Sequence, residues 1–106
     1  MTDSGTGFVA LYRWRIDPAQ EASFIEAWSE LTVLIRKHQG GRGSRLHRAD
    51  DGTLYGYAQW PDRSRWEEPW NLPAEAESHM STLRAAVIER FEPLLLNPIE
   101  DLLLAD

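Results

Sequence analysis

Between Arg45 and Asn71 the chain gathers side chains able to bind and activate a small aromatic molecule. His47 is the candidate base, because imidazole is the side chain whose unperturbed pKa lies near neutrality. Tyr55 and Tyr57, two residues apart, could hydrogen-bond a substrate carbonyl, and Arg45 could hold an anion. Trp66 offers a planar indole for stacking, Trp70 lies one turn further on, and Asn71 could donate to a substrate oxygen. Each type also has a plainer use. A strand histidine can sit on an accessible face, tyrosines can pack across strands, and tryptophans can fill the space between helix and sheet.

Chemistry of this kind needs elements that make the groups converge. FVALYRWRI, from Phe8 to Ile16, is rich in aromatic and β-branched residues and reads as a strand with Phe8, Ala10, Tyr12, Trp14 and Ile16 on one face. Asp17-Pro18 signals a helix start, with Gln20 in the capping-box position. Phe24, Trp28, Leu31 and Ile35 give that helix an apolar stripe, and it should end near His38, before Gly40-Gly41.

Two further strands, Gly43 to Ala49 and Thr53 to Trp60, flank Asp50-Asp51-Gly52. A three-residue loop closed by a left-handed Gly pairs His47 with Tyr55 and Arg45 with Tyr57. Arg45, His47, Tyr55, Tyr57 and Gln59 then share one face, with Leu46, Leu54, Gly56, Ala58 and Trp60 on the other. A two-residue loop would shift this register by one and change the grouping. Asp62 should cap a short helix carrying Trp66, interrupted by Pro69 and Pro73. A longer helix is expected from about Ala74 to Phe91, and a last edge strand from Ile99 to Leu104. The order β-α-β-β-α-β is that of a ferredoxin-like α+β fold, an antiparallel sheet with helices on one face. The uncovered face would carry large apolar residues, so a homodimer packed sheet against sheet is expected.

Composition narrows the partners. The 106 residues suit one domain, read as 8–106 after a flexible N-terminal segment, 1–7. Eleven basic and 17 acidic residues give a net charge of −6, which argues against a nucleic-acid partner. Five of the basic residues, Arg36, Lys37, Arg42, Arg45 and Arg48, nevertheless cluster, either as a solvated rim or as an attraction for an anionic ligand. There is no cysteine, and His38, His47 and His79 share no ligand spacing, so no metal site is expected. MTDSGTG lacks a signal pattern and no apolar run reaches membrane-spanning length, so a cytoplasmic protein without membrane partners is expected.

YRWRIDPAQEASFIEAWSELT followed by GSRLHRADDGTLYGYAQWPDRSRWE resembles the antibiotic biosynthesis monooxygenase family of dimeric α/β barrels. The resemblance covers roughly residues 8–70. It implies a homodimer whose subunits each hold a pocket between sheet and helices. It also implies oxidation of a hydrophobic, polyketide-like phenol by oxygen without metal, flavin or haem. On that reading His47, Tyr55 and Tyr57 are the catalytic candidates, and Arg45, Trp66, Trp70 and Asn71 bind substrate. Haem-degrading relatives use a strand-one Asn, where this chain offers Tyr12 and Trp14, so haem degradation ranks lower. The alternative is a dimer that binds small molecules without chemistry, or a structural one.

Overall fold

The structure, a computed structural model, describes residues 7–103, so residues 1–6 of the expected flexible segment and Leu104 of the expected last strand lie outside it. β1 (Phe8–Ile16) is the central strand. A 3-10 turn (Pro18–Gln20) leads into α1 (Glu21–Gln39), followed by β2 (Ser44–Arg48), β3 (Leu54–Trp60), α2 (Arg63–Glu67), α3 (Ala76–Ala86), β4 (Val87–Arg90) and β5 (Leu94–Leu96). The strand order is β2-β3-β1-β4, with β5 also pairing β1, and all pairings are antiparallel. This is the expected ferredoxin-like architecture, and the sheet is open.

Local chemistry explains the boundaries. Asp17 accepts from Ala19 N at 3.0 Å, and the Gln20 amide donates to Asp17 Oδ2 at 3.3 Å. The capping partner thus binds the Asp side chain rather than its backbone, and the first turn is 3-10. α1 stops at Gly40, whose φ of 78° is left-handed, and Arg36, Lys37 and His38 in the last turn face the negative end of the helix dipole. The hairpin takes the three-residue loop. Gly52 has φ 91°, and Ala49 N donates to Thr53 O at 2.8 Å. His47 therefore pairs with Tyr55 and Arg45 with Tyr57.

Three expected boundaries move. The helix expected to reach Phe91 ends at Ala86, because Asp17 N takes the Ala86 carbonyl at 2.8 Å and Val87–Arg90 joins β1. Met80, Leu83 and Val87 match a helical stripe, but β-branched Val87 is satisfied by either structure. The last strand is Leu94–Leu96, between Pro93 and Pro98; residues 99–103 form none. α2 ends at Glu67, before Pro69, so Trp70 reaches its position on extended chain.

The core has two zones against the helix side of the sheet and a third, Leu31, Leu34 and Ala76, between α1 and α3. Ile16, Phe24, Leu54 and Ala86 pack solidly at one end. Phe8, Ala10, Ala58 and Trp60 make the other, with Trp66, Ile35 and Leu95 leaning on it. Between them the packing opens.

Candidate active site

β1 and β3 lie side by side, with Ala10 opposite Ala58, Tyr12 opposite Gly56 and Trp14 opposite Leu54. Large rings on one strand thus stand over small residues on the next. A Cβ at Gly56 would lie 3.0 Å from Trp14 Cη2 and 3.5 Å from Trp28 Nε1, so glycine is what lets those indoles cross this strand. The resulting cavity has a volume of about 680 Å³, roofed by α1 and α3 and closed at one side by Trp66 and Trp70. That is within the usual range for small-molecule sites.

The walls are aromatic. Tyr12 and Trp14 stack at 6.0 Å between centroids and 15° between planes, and Trp60 meets Trp70 at 5.6 Å and 40°. Asp62 caps α2 by accepting from Arg65 N at 2.8 Å, and this short helix places Trp66 against Phe8 at 5.4 Å. The 69–71 segment is tied to α1 by the buried Gln39 side chain. Gln39 accepts from Asn71 N at 2.6 Å and donates to Pro69 O at 3.4 Å, while Trp70 Nε1 donates to Trp66 O at 3.2 Å.

One polar pair stands in this apolar wall. Trp66 Nε1 donates to Tyr12 Oη at 2.9 Å. An indole N–H can only donate, so Tyr12 is the acceptor and keeps its own proton for another partner. Burial raises the Tyr12 pKa, opposed by the Trp66 hydrogen bond and by the charge of Arg90. Tyr12 is therefore neutral at physiological pH, a donor and not a base. The charged groups at the walls are Arg36, Arg84 and Arg90, with no Asp, Glu or His among the lining residues. Arg84 is paired with Glu77 at 2.7 Å, whereas Arg90 has no such partner among the described residues.

The residues singled out from sequence divide cleanly. Trp66 and Trp70 line the cavity. Arg45, His47, Tyr55 and Tyr57 are brought together by the hairpin, with the Arg45 guanidinium 5.9 Å from the Tyr57 ring centroid, but they do not line it. The reason is the two-residue period of a strand. Tyr55 and Tyr57 alternate with Leu54, Gly56 and Ala58, which face the helices, and so stand on the opposite side of the sheet. His47, Tyr55 and Tyr57, the catalytic candidates, are thus not among the residues lining this cavity. Asn71 is exposed and contributes its backbone N–H to the Gln39 tie; it too is absent from the lining. Tyr12 and Arg90 were missed as site residues, and Arg36 was noted only as part of the basic cluster. The signal for Tyr12 was its place on the same face as Trp14, opposite the small residues of β3.

Among the described residues no group of three His, Asp or Glu could hold a metal, and no helix is long and apolar enough to cross a membrane. A family model described as antibiotic biosynthesis monooxygenase matches residues 7–71. No curated protein matches the chain. Several solved structures share the fold. A monooxygenase from the gene ActVA-Orf6 of Streptomyces coelicolor, in complex with nanaomycin D, is 21% identical with a TM-score of 0.73, over 97% of this chain and 96% of that one. SnoaB, a cofactor-independent oxygenase from Streptomyces nogalater, is 18% identical with a TM-score of 0.72, over 92% and 97%. Rv0793 from Mycobacterium tuberculosis is 13% identical with a TM-score of 0.70, over 92% and 99%.

Proposed function

The chain belongs to the antibiotic biosynthesis monooxygenase family, and from that premise we propose that it is a cofactor-independent monooxygenase acting on a hydrophobic, polyketide-like phenol. The observation that carries this reading is the neutral Tyr12 hydroxyl, held by Trp66 inside an aromatic-walled cavity. Two of the solved structures sharing the fold are oxygenases, one of them in complex with nanaomycin D, which supports the same direction.

The lining limits how the reaction runs. It offers no carboxylate or imidazole to act as base. The substrate must therefore be a phenol acidic enough to lose its proton to water, with Arg90 and the Tyr12 O–H stabilising the anion. The phenolate passes one electron to oxygen, and the radical pair joins to form a carbon–oxygen bond. The ring hydrogen leaves as a proton and the O–O bond of the hydroperoxide breaks. One oxygen atom remains as a quinone carbonyl and the other departs as water. The substrate supplies every electron, so no further reductant enters. Tyr12 donates to the developing oxyanion, Trp66 fixes the Tyr12 rotor, and the indole walls exclude water and hold the ring plane.

The other sheet face serves assembly in this reading. Leu94 and Leu96 stand 44% and 40% exposed there, beside Leu11, Tyr55 and Tyr57, and a second copy packed sheet to sheet would cover them. The test is oxygen uptake with a dihydroxyanthrone, with ¹⁸O₂ to follow the atoms. Uptake above the autoxidation rate, with one labelled oxygen in the product, is the expected result. Tight binding without uptake would identify a carrier, and the oxygenase reading would be lost.

A further inference from the structure

The cavity has a neighbour. On the α1–β2 side, a depression of about 480 Å³ is lined by Val33, Arg36, Lys37, Gly41 and Arg42, and it shares Arg36 and Gly41 with the aromatic cavity. Three of its five residues are cations and none is an acid, in a chain whose net charge is −6. The five ion pairs of the described residues use Arg15, Arg48, Arg63, Arg65 and Arg84. Arg36, Lys37 and Arg42 are left without a carboxylate partner among those residues. The helix dipole accounts for Arg36 and Lys37 only in part, since Arg42 lies beyond the end of α1.

We propose that the depression is a subsite for a carboxylate carried by the ligand, with Arg36 as the hinge between the two compartments and Lys37 and Arg42 completing the cation set. The proposal rests on the oxygenase reading for the aromatic end of the ligand, and it names the substrate class more narrowly as an aromatic acid. Geometry sets the spacing. Tyr12 is on β1, and Arg42, whose N–H donates to Gln59 O of β3 at 2.8 Å, stands two strand spacings away, roughly 10 Å across the sheet. The acid therefore sits at the far end of a fused ring system from the phenol that reacts. A carboxylate there would be met by a bidentate guanidinium and two further cations, all exposed, so the pairing is open to screening by salt.

The experiment compares a dihydroxyanthraquinone with its ring-carboxylated counterpart, each titrated against the protein by quenching of tryptophan fluorescence. The carboxylate is expected to bind about tenfold tighter at low salt, with the advantage shrinking toward parity near 1 M salt. In the double variant Lys37→Gln/Arg42→Gln, which spares the Arg36 that also lines the aromatic cavity, the preference should fall to about twofold or less, while the neutral compound binds as before. Lys37→Gln alone, which leaves the cavity wall untouched, should give an intermediate preference. Equal binding of the two compounds by the parent protein, no binding of either, or a preference that survives the double variant would each overturn the proposal. Oxygen uptake with the dihydroxyanthrone, measured on the same samples, separates the two readings. A carboxylate preference without uptake sinks only the oxygenase, and uptake without preference sinks only the subsite.

Discussion

The two faces of the sheet are made of alternate residues from the same strands, yet they differ in kind. The helix-side face carries Tyr12, Trp14, Gly56 and Ala58 around a cavity in which Trp66 orients the Tyr12 hydroxyl. The other carries Arg45, His47, Tyr55 and Tyr57, a richer set of reactive types, none of which lines that cavity. The difference teaches that side-chain chemistry alone does not mark a site. For the proposed reaction, a single tyrosine in a shaped, aromatic-walled volume with its lone pair already engaged is better placed than an exposed imidazole.

The largest effect that could break this comparison is on stability. Leu54 and Tyr55 are adjacent in sequence and on opposite faces. Leu54 is 2% exposed, so Leu54→Ala should cost about 2–5 kcal/mol in urea unfolding. Tyr55→Ala should cost about 1 kcal/mol or less in unfolding of a dilute protein, and should show instead as weaker association in sedimentation. Equal losses from the two would mean that the far face has a core of its own.

Next comes turnover. Tyr12→Phe should lower kcat by about 10²-fold, the usual loss for one oxyanion donor, while His47→Ala and Tyr57→Phe stay within about twofold. A comparable loss in His47→Ala would return the chemistry to the other face.

A third effect is pH dependence. The Tyr12 pKa is raised by burial above its ordinary value of 10.0, so the folded state holds this proton more tightly than the unfolded chain. The stability it contributes is complete below pH 10.0 and is lost as pH rises through the higher folded value. Alkaline unfolding followed by circular dichroism should show this loss in the parent and lack its Tyr12 part in Tyr12→Phe.

The smallest effect is at the hairpin that sets the two faces apart. Asp51 Oδ1 accepts from Thr53 N at 2.9 Å, and that hydrogen bond lowers the Asp51 pKa. The stabilisation is present above the ordinary carboxylate value and fades as pH falls through the lowered one. Asp51→Ala should lower the melting temperature slightly at neutral pH and leave ligand binding unchanged.

The grouping of residues by face was legible from the sequence, because the Asp-Asp-Gly loop fixes register and register fixes faces. Which face would hold the cavity was harder to read. Tyr12, Trp14 and Trp28 have the types and spacing of core residues, and only their position opposite Gly56 and Ala58 leaves space between them. Trp70 was placed near the ligand for a helix that in fact ends at Glu67; the Gln39 tie, thirty residues upstream of Pro69, keeps it there. A long-range amide contact of that sort leaves no periodic trace. The α3–β4 boundary was hidden for a different reason, since Val87 serves a helix stripe and a strand equally well.

Gly56 and Ala58 form the cavity floor, yet neither takes part in the proposed chemistry. What fits inside is therefore set at positions separate from those that react. A lineage carrying this chain can change its accepted ligand by gaining a methyl group or two on β3 while Tyr12, Trp66 and Arg90 stay as they are. The two positions are unequal in that respect. Any side chain at Gly56 must first displace the Trp14 indole, so the freer adjustment in the history of such a pocket runs through Ala58.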